Sequence, residues 1–587
     1  MKLGLIDFLQ MGSLVSISVK YNYLIFLNIS FLLVASVYLI INSHSSEFHV
    51  KTNFLGVSDS SQHSCKNFHR LDDYKAKCLY IKTHNPCVSQ GYIDHLYLFY
   101  CKLGSFPILG YSLLSLWLLV LFYLLGNTAS EYFCSSLESL SSLLKLSPTI
   151  AGVTLLSLGN GAPDFFSSIV SIMGEGTCDV GLNTVLGGAS FIICVVVGII
   201  SISRGRSVVR VHKSAFIRDV CFLLLVLVFL LVILIQEEID LWGAIGFSSM
   251  YVVYVIVVYT SHLHWKNCEE SHRGGDSSNC SDLTIPILGK KSCQEEINTV
   301  EERAIEGCSE VEVKKSCLCS TPLAFCVTFL DILELPLYLP RRLTIPIVSE
   351  EKWSKPYAVA SVTLAPLLLS ALWSPQSENG TFNSSLVAYG IGLLIGIAFG
   401  VLVFVTTEKS IPPKKCIFLW LSGGFLMSVA WSYIIAQELV GLLVSLGYMS
   451  GINPSILGLT ILAWGNSLGD LVTNLTMALK GGPEGTQVAI SGCYAGPIFN
   501  ILIGLGLSLV GSAWSNYPSS VVIPRDPYLL ETLVFLAVAL LWALVVLPIR
   551  NMRLDRVLGG GLLVVYLVSL SLRLIQTQGS LKLHTHT

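Results

Sequence analysis

Long hydrophobic runs separated by short polar stretches cover most of the chain. Each run is about 17 to 25 residues long, which is enough for an α-helix to cross a hydrocarbon core about 30 Å thick. The runs lack the two-residue alternation of membrane β-strands, so a barrel is not expected. The pattern predicts an all-α polytopic membrane protein with about 12 to 13 spans. These spans are predicted near residues 22–41, 107–127, 148–172, 180–202, 220–236, 241–260, 357–373, 386–405, 416–437, 452–479, 486–510, 528–547 and 557–572.

The composition agrees with this pattern. Of the 587 residues, 53% are hydrophobic and 13% are charged, about half the charged fraction of an ordinary soluble domain. A water-soluble globule is therefore excluded. The 36 basic and 38 acidic side chains nearly balance. The chain therefore lacks the excess of positive charge that would indicate nucleic-acid binding. The lipid bilayer is the expected partner, and the substrate site is expected within it.

The spans and polar stretches divide the chain into successive segments. They are a hydrophobic targeting or anchor segment (1–41), a Cys-containing exoplasmic or intermembrane segment (42–106), a first transport half (107–261), a polar regulatory loop (262–356), two additional spans (357–415), a second transport half (416–574) and a tail (575–587). The loop is rich in Ser, Glu and Lys, and it is a candidate surface for regulatory proteins or kinases.

Charge and cysteine placement indicate the sidedness of the loops. Basic residues collect on one side of the membrane, which the positive-inside rule assigns to cytosol or matrix. The opposite side carries the glycosylation sequons at Asn379 and Asn383, which predict a glycoprotein. That side also holds Cys65, Cys78, Cys87 and Cys101, which are compatible with two disulfides of undetermined connectivity or, in a reducing compartment, with four free thiols. The first 20 residues contain no arginine, which favours a secretory signal over a mitochondrial presequence and leaves its cleavage open.

An internal repeat aligns residues 146–164 with residues 452–470 at a constant offset of 306. The coinciding pairs are Pro148/Pro454, Ile150/Ile456, Gly152/Gly458, Thr154/Thr460, Leu156/Leu462, Gly159/Gly465, Asn160/Asn466 and Asp164/Asp470; further along, Gly188, Phe191 and Gly198 match Gly496, Phe499 and Gly506. The two copies lie an odd number of crossings apart, which inverts the second copy. Inverted repeats with Gly- or Pro-interrupted helices point to a transporter site near the bilayer midplane.

The polar residues of the repeat have helical spacing. Asn160 and Asp164 are four residues apart, as are Asn466 and Asp470, so each pair can share one helix face. A carboxylate within the membrane needs a partner, and these helices contain no Lys or Arg before Lys480. A cation is the natural partner. Oxygen ligands favour a hard ion such as Ca²⁺ or Na⁺, and two carboxylates match one divalent charge.

Other residues of the repeats are weaker candidates for the ion pathway. The backbone is expected to loosen at glycine and proline residues of the motifs and to free carbonyl groups for the ion; these residues are Gly161, Pro163, Gly465 and Gly469. The candidate carbonyls are those of Ser157 and Ala463, and the hydroxyls of Thr154 and Thr460 compete with bonding to their own helix. Close helix packing is the alternative role for these glycines, and Gly188 and Gly496 are further candidates for the ion pathway. Glu131 and Glu438 are expected to act as structural or gating groups near helix ends.

The segments Gly159-Asn-Gly-Ala-Pro-Asp164 and Gly465-Asn-Ser-Leu-Gly-Asp470 resemble the α-repeat motifs of the cation/Ca²⁺ exchanger superfamily. Taken together with the Cys-rich loop and residues 340–346, the two motifs look like those of the mitochondrial, lithium-permissive sodium/calcium exchangers within this superfamily. The resemblance implies two inverted five-helix repeats, and Asp164 and Asp470 as principal Ca²⁺ ligands. It also implies that ion sites are lined by Asn160, Asn466, Ser467 and Asn500. The implied location is the mitochondrial inner membrane, with plasma membrane or endoplasmic reticulum as alternatives.

The chain departs from this family pattern at three positions. Ile192 stands where the first repeat usually has Asn, Gly469 replaces the usual proline, and Gly161 replaces the usual hydroxyl residue. These departures leave the coupling ion open between Na⁺, Li⁺ and H⁺. The expected function is a secondary active Ca²⁺ antiporter in mitochondrial calcium extrusion, with no cofactor and no enzymatic activity. An H⁺/Ca²⁺ exchanger and a passive cation channel are the alternatives, and a diaspartyl protease lacks its Gly-x-Gly-Asp motif.

Overall fold

The computed structural model describes residues 30–31, 33–34, 74–84, 91–104, 106–136, 139, 161–174, 178–204, 209–272, 337–348, 353–373, 382–409, 412–413, 416–480, 482–523 and 526–586. Within these ranges it has 11 helices that are long and apolar enough to cross a membrane. Numbered in chain order together with two shorter helices, the first and the third, they are α1 (Tyr74–His84), α2 (Pro107–Cys134), α3 (Ala162–Met173), α4 (Cys178–Arg204), α5 (Lys213–Gln236), α6 (Leu241–His272), α7 (Lys355–Trp373), α8 (Phe382–Thr406), α9 (Ile417–Ser450), α10 (Pro454–Leu479), α11 (Gly485–Ser515), α12 (Pro527–Ile549) and α13 (Arg556–His586).

The helical, polytopic architecture expected from the sequence is confirmed. Eleven of the predicted spans coincide with long apolar helices. The predicted span at 148–172 is described only from residue 161 onward, where α3 forms, and most of the predicted span at 22–41 lies outside the described residues. One small departure from an all-helical chain is a two-residue antiparallel ladder that pairs β1 (Glu238–Ile239) with β2 (Val521–Val522).

Four of the long helices contain a π-helical turn. The turns are Ala129–Cys134 in α2, Phe191–Val196 in α4, Gly458–Leu462 in α10 and Asn500–Leu505 in α11. The turns of α4 and α11 fall at matching positions of the internal repeat, close to the Phe191/Phe499 pair. Single π turns inside α-helices are frequent at functional sites, so this repeated irregularity marks the same part of each copy.

The described residues fall into two compact units, and the division passes within α2 and within α9. The first unit contains the described parts of residues 1–87, 96–127 and 306–431. In it, α7 and α8 form a hairpin in which Gly396 approaches the backbone of Thr363 so closely that a Cβ would lie 2.1 Å from the Thr363 carbonyl oxygen. A disulfide joins Cys78 and Cys101 in this unit, while Cys65 and Cys87 lie outside the described residues.

The second unit contains the described parts of residues 88–95, 128–305 and 432–587, and it holds both repeats. Its core is a single cluster of buried apolar residues from α3 to α6 and α10 to α13. We call one end of these helices the basic end, after Arg204, which donates there to the carbonyl oxygens of Ala478 and Gly482. We call the opposite end the acidic end, because Asp179, Glu238 and Asp526 lie there beside the β1–β2 ladder.

The direction of the helices between these ends confirms that the repeats are inverted. Helix α10 begins at the acidic end, where Ser455 contacts Asp179, and it finishes at the basic end beside Arg204. Helix α3, its counterpart in the first copy, ends near the acidic end, because only four residues separate it from the start of α4 there. The matching helices therefore run in opposite directions, as an inverted repeat requires.

Helices α4 and α10 touch backbone to backbone. A Cβ at Gly187 would lie 2.4 Å from the carbonyl oxygen of Leu459, and a Cβ at Gly458 would lie 2.9 Å from that of Val180. Small residues at such crossings let membrane helices pack closely. This contact brings the start of α10 against α4, directly beside the polar residues of the repeats.

Candidate ion-binding site

The two acidic residues of the repeats lie together in the interior of the second unit. Asp164 is in the first turn of α3, which begins directly after Gly161 and has Pro163 near its N-terminus. Asp470 lies in the middle of α10. Asp164 is 2% exposed and Asp470 is 6% exposed, and the two carboxylates are close enough to repel each other. The two matching acids of an inverted repeat thus share one buried site.

Amide and hydroxyl groups from three helices surround the two carboxylates. Asn500, at the π turn of α11, donates from Nδ2 to Oδ2 of Asp164 at 3.1 Å. Asn466 donates from Nδ2 to Oγ of Ser167 at 3.1 Å. Gly188 of α4 borders the same space, because a Cβ there would lie 3.1 Å from Asp164 Oδ2 and 3.3 Å from Ser467 Oγ. Residues from α3, α4, α10 and α11 therefore converge at one point.

Among the residues that the structure describes, four buried oxygen atoms at this point have no hydrogen-bond partner. They are Oδ1 of Asp164, Oδ1 of Asn466, Oγ of Ser467 and Oδ1 of Asn500. A buried polar atom without a partner costs about 1 to 3 kcal/mol, and more if it is charged. Such atoms are rare in a folded interior, so four in one cluster indicate that the site is built to contact something else.

The donor chemistry of the cluster fits a hard cation. Carboxylate, amide and hydroxyl oxygens are the ligands that Ca²⁺ takes, whereas Zn²⁺ and copper favour nitrogen and sulfur. Within the part of the chain that the structure describes, no three His, Cys, Asp or Glu residues are placed to hold a metal ion together. The site therefore relies on two acids supplemented by neutral oxygens, which suits an ion that is bound and released.

Several weaker sequence candidates are also placed by the structure. The hydroxyl of Thr460 donates to the carbonyl oxygen of Ile456 at 2.7 Å, so it bonds its own helix. A Cβ at Gly496 would meet nothing within 4 Å. Gly465 and Gly469, which are expected to loosen the backbone, lie in the continuous α-helix Ala463–Lys480, and the irregular turn precedes this helix. Asn160, Ser157 and Thr154 lie outside the described residues.

The two glutamates have different surroundings. Glu131 is exposed in the π turn of α2. Glu438 is buried in α9, where its Oε2 accepts from the backbone N–H of Tyr92 at 2.7 Å and its Oε1 lies 2.9 Å from Nε2 of His95. Burial, with smaller effects of Tyr433 and Glu438, raises the pKa of Tyr92 to about 12. Glu438 therefore holds residues 91–95 against α9.

Sequence reasoning missed some polar residues of the site. Ser167 accepts from Asn466, and it lies three residues after Asp164, on the same helix face. Asn474 is 4% exposed and follows Asp470 by one helical turn; a Cβ at Gly492 would lie 3.3 Å from its Oδ1. The helical spacing from each acid was the signal that could have found both. The buried thiol of Cys493, which lies within electrostatic range of Asp470, had no such signal.

The chain is similar to proteins of one family over most of its length. Residues 114–260 and 420–575 match the family described as sodium/calcium exchanger protein. Cation/calcium exchanger 2 of Arabidopsis thaliana is 54% identical over 94% of this chain and 98% of its own length. Cation/calcium exchanger 1 of the same plant is 50% identical over 87% and 89%. The human mitochondrial sodium/calcium exchanger protein is 30% identical over 92% and 94%.

Proposed function

Because this chain belongs to the sodium/calcium exchanger family, we propose that it is a secondary active antiporter that exchanges Ca²⁺ for a monovalent cation by alternating access. The observation that carries this proposal is the cluster of four partnerless oxygens around Asp164 and Asp470. Two carboxylates balance one Ca²⁺, and the neutral oxygens complete a shell that can also hold Na⁺ or Li⁺. The transported ions are substrates, and no resident cofactor is part of the proposal.

The amides give the site a way to accept and release an ion. Without a cation, Nδ2 of Asn500 donates to Asp164 and offsets part of its buried charge. An amide that turns over by half a rotation presents Oδ1 in place of Nδ2 with little change of shape. The same side chain can then act as a donor in the empty site and as a ligand in the loaded site.

Flux into liposomes tests this proposal. The purified chain is reconstituted with Ca²⁺ on one side, and Na⁺, Li⁺ and pH gradients are imposed one at a time at a fixed membrane potential. We expect Ca²⁺ flux that requires an opposing Na⁺ or Li⁺ gradient. Equal flux after all opposing gradients are collapsed would identify a passive channel and refute exchange.

Matched variants test the site itself. Asp164→Asn or Asp470→Asn keeps the side-chain volume and removes one of two charges, so we expect Ca²⁺ flux to fall to background. Asp555→Asn is the control, because Asp555 caps α13 at the basic end through Leu558 N–H and an asparagine caps equally well. Near-normal flux in both site variants, at equal protein per liposome, would refute the assignment.

A proton is the second candidate for the coupling ion. Ile192 is 2% exposed within the apolar core, so the first copy offers a hydrocarbon side chain where the second copy offers Asn500. A site with fewer neutral ligands is less suited to holding Na⁺, whereas two neighbouring carboxylates can share a proton. Ca²⁺ flux driven by a pH gradient alone would select this candidate over Na⁺ or Li⁺.

Two locations are proposed for the protein, each with its own support. A mitochondrial role, with extrusion of Ca²⁺ from the matrix, is supported by the relatives named mitochondrial at 30% identity. A membrane of the secretory pathway is supported by the arginine-free N-terminus, the two sequons and the disulfide between Cys78 and Cys101. Fractionation of the tagged full-length protein, with markers for both compartments, distinguishes them.

A further inference from the structure

A second group of polar side chains lies at the acidic end of the second unit, where α4, α10 and α12 begin. Asn183 of α4 donates from Nδ2 to Oδ2 of Asp526 at 2.7 Å and to the carbonyl oxygen of Asp179 at 2.8 Å. Ser455 of α10 donates from Oγ to Oδ2 of Asp179 at 2.5 Å. The starts of three helices are thus joined through two carboxylates and one amide. We call Asp179, Asn183 and Asp526 the outer cluster.

The amide of Asn183 is the unusual member of the outer cluster. Asn183 is fully buried, and its Oδ1 has no hydrogen-bond partner in the described part of the chain. Asn500 in the central site has the same arrangement, with Nδ2 donating to an aspartate and Oδ1 partnerless. The molecule therefore contains this amide and carboxylate arrangement twice, once around Asp164 and once at the acidic end.

Helix capping accounts for only part of the outer cluster. Oδ1 of Asp526 accepts from the backbone N–H of Tyr528 and caps α12, and Asp179 lies in the first turn of α4. Carboxylates at helix N-termini are stabilised by the helix dipole and need no further partner. Capping does not explain why a buried amide oxygen lies beside them without a donor. It also does not explain why one buried amide contacts both the carbonyl oxygen of Asp179 and the carboxylate of Asp526.

We propose that Asp179, Asn183 and Asp526 form a second site for a hard divalent cation, separate from the central site. Two carboxylates supply the charge, and the carbonyl oxygen of Asp179 and the amide of Asn183 supply neutral oxygens. When the amide turns over, Oδ1 takes the position of Nδ2, which already lies within 2.8 Å of two oxygens. An ion between them removes both the repulsion of the carboxylates and the partnerless oxygen.

The position of the outer cluster suits capture of Ca²⁺ before transport. Asp179 and Asp526 are each only partly buried, so an ion can reach them from the aqueous side. Glu238 and Asp240 add negative charge at the same end of the unit, which raises the local cation concentration. This role rests on the proposed antiport function, because it assumes that the central site passes Ca²⁺ onward.

Equilibrium binding of ⁴⁵Ca²⁺ to the purified full-length protein tests the outer cluster without transport. The background is the double variant Asp164→Asn with Asp470→Asn, in which the central site is disabled. We expect one remaining Ca²⁺ site, whose Kd rises about tenfold or more when Asp179→Asn or Asp526→Asn is added. Asp526→Asn preserves the cap of α12, and Asp555→Asn is the matched control that leaves binding unchanged.

Three results would overturn the proposal. The first is an absence of Ca²⁺ binding in the background variant, and the second is binding that survives both added substitutions. The third result concerns Arg525, which precedes Asp526 and lies outside the described residues. Ca²⁺ binding that appears only when Arg525→Gln is added would show that this arginine already balances the charge of the carboxylates.

Transport kinetics separate this proposal from the proposed function. With the central site intact, Asp179→Asn and Asp526→Asn should raise the KM for Ca²⁺ presented at the acidic end and leave the maximal flux close to that of the wild type. An unchanged KM in both variants counts against capture by the outer cluster. Absence of exchange in the wild type refutes the antiport function, and the binding result is unaffected by it.

Discussion

The amide of Asn500 is the side chain whose removal changes the central site most simply. Asn500→Ala removes both the donor to Asp164 and a partnerless oxygen, so we expect Ca²⁺ exchange to fall strongly. Ile192→Ala makes a cavity in the apolar core, which lowers stability by about 2 to 5 kcal/mol and leaves ion selectivity unchanged. Ile192→Asn should strengthen Na⁺ dependence or alter the monovalent preference. The measurement is initial flux against Na⁺, Li⁺ and H⁺ gradients, normalised to protein in the membrane.

The outcome for the two positions also tests their structural pairing. Suppose that Asn500→Ala exchanges Ca²⁺ like the wild type while Ile192→Ala changes the ion selectivity. This result would show that the first copy, and not the second, supplies the ligand of the coupling cation. The pairing of the two repeats in the ion site would then be wrong.

Gly188 leaves room for an ion, and Gly496 offers a matched comparison. A methyl group at Gly188 would lie 3.1 Å from Asp164 Oδ2 and 3.3 Å from Ser467 Oγ. Gly188→Ala should therefore raise the KM for Ca²⁺ about tenfold, as expected for a loss of about 1.4 kcal/mol. At Gly496 a Cβ would meet nothing within 4 Å, so Gly496→Ala should exchange like the wild type. Equal KM values in the two variants would contradict the placement of the ion beside Gly188.

At the scale of the elements, much of the helix pattern could be predicted, because a membrane span needs a long apolar run of fixed length. The pairing of Asp164 with Asp470 was also predictable from the inverted repeat. The contact of Glu438 with residues 91–95 was not, since it joins residues 346 positions apart and depends on tertiary structure. Gly465 and Gly469 lie in a continuous α-helix, because glycine permits an irregular backbone but does not require one.

The start of α5 carries a pH-sensitive cap outside the apolar span. Nδ1 of His212 accepts from the backbone N–H of Ala215, which requires a neutral imidazole. Burial, followed by the charge of Arg218, lowers the pKa of His212 below its usual 6.5. The cap therefore stabilises α5 fully above pH 6.5, and this contribution is lost as the pH falls through the lower folded-state pKa.

Thermal unfolding in detergent measures this effect of pH. Asparagine at position 212 caps without titrating, so the Tm of the wild type should fall below that of His212→Asn as the medium is acidified. His212→Ala should lose about 1 kcal/mol at neutral pH because the cap is gone. A difference between wild type and His212→Asn that stays constant with pH would exclude titration of His212 as the cause.

For the whole molecule, glycosylation reports both sidedness and location. Asn383 lies in the first turn of α8, where its backbone is part of the helix, whereas Asn379 precedes that helix. If the chain enters the secretory pathway, we expect a glycan on Asn379. The size shift on endoglycosidase treatment should then vanish in Asn379→Gln and persist in Asn383→Gln. A shift in neither the wild type nor the variants would favour the mitochondrial location.

The contact between α4 and α10 restricts how the second unit can move. Gly187 and Gly458 each lie against a main-chain carbonyl of the other helix, and a main chain cannot change rotamer to let its neighbour pass. Sliding of one helix along the other would drive Leu459 and Val180 carbonyls into the opposing chain. The pair must therefore travel as one rigid body, carrying Gly188, Ser467 and Asp470 with it. Under the proposed antiport function, we expect opening and closing of the ion path to involve helices that lack such an interlock.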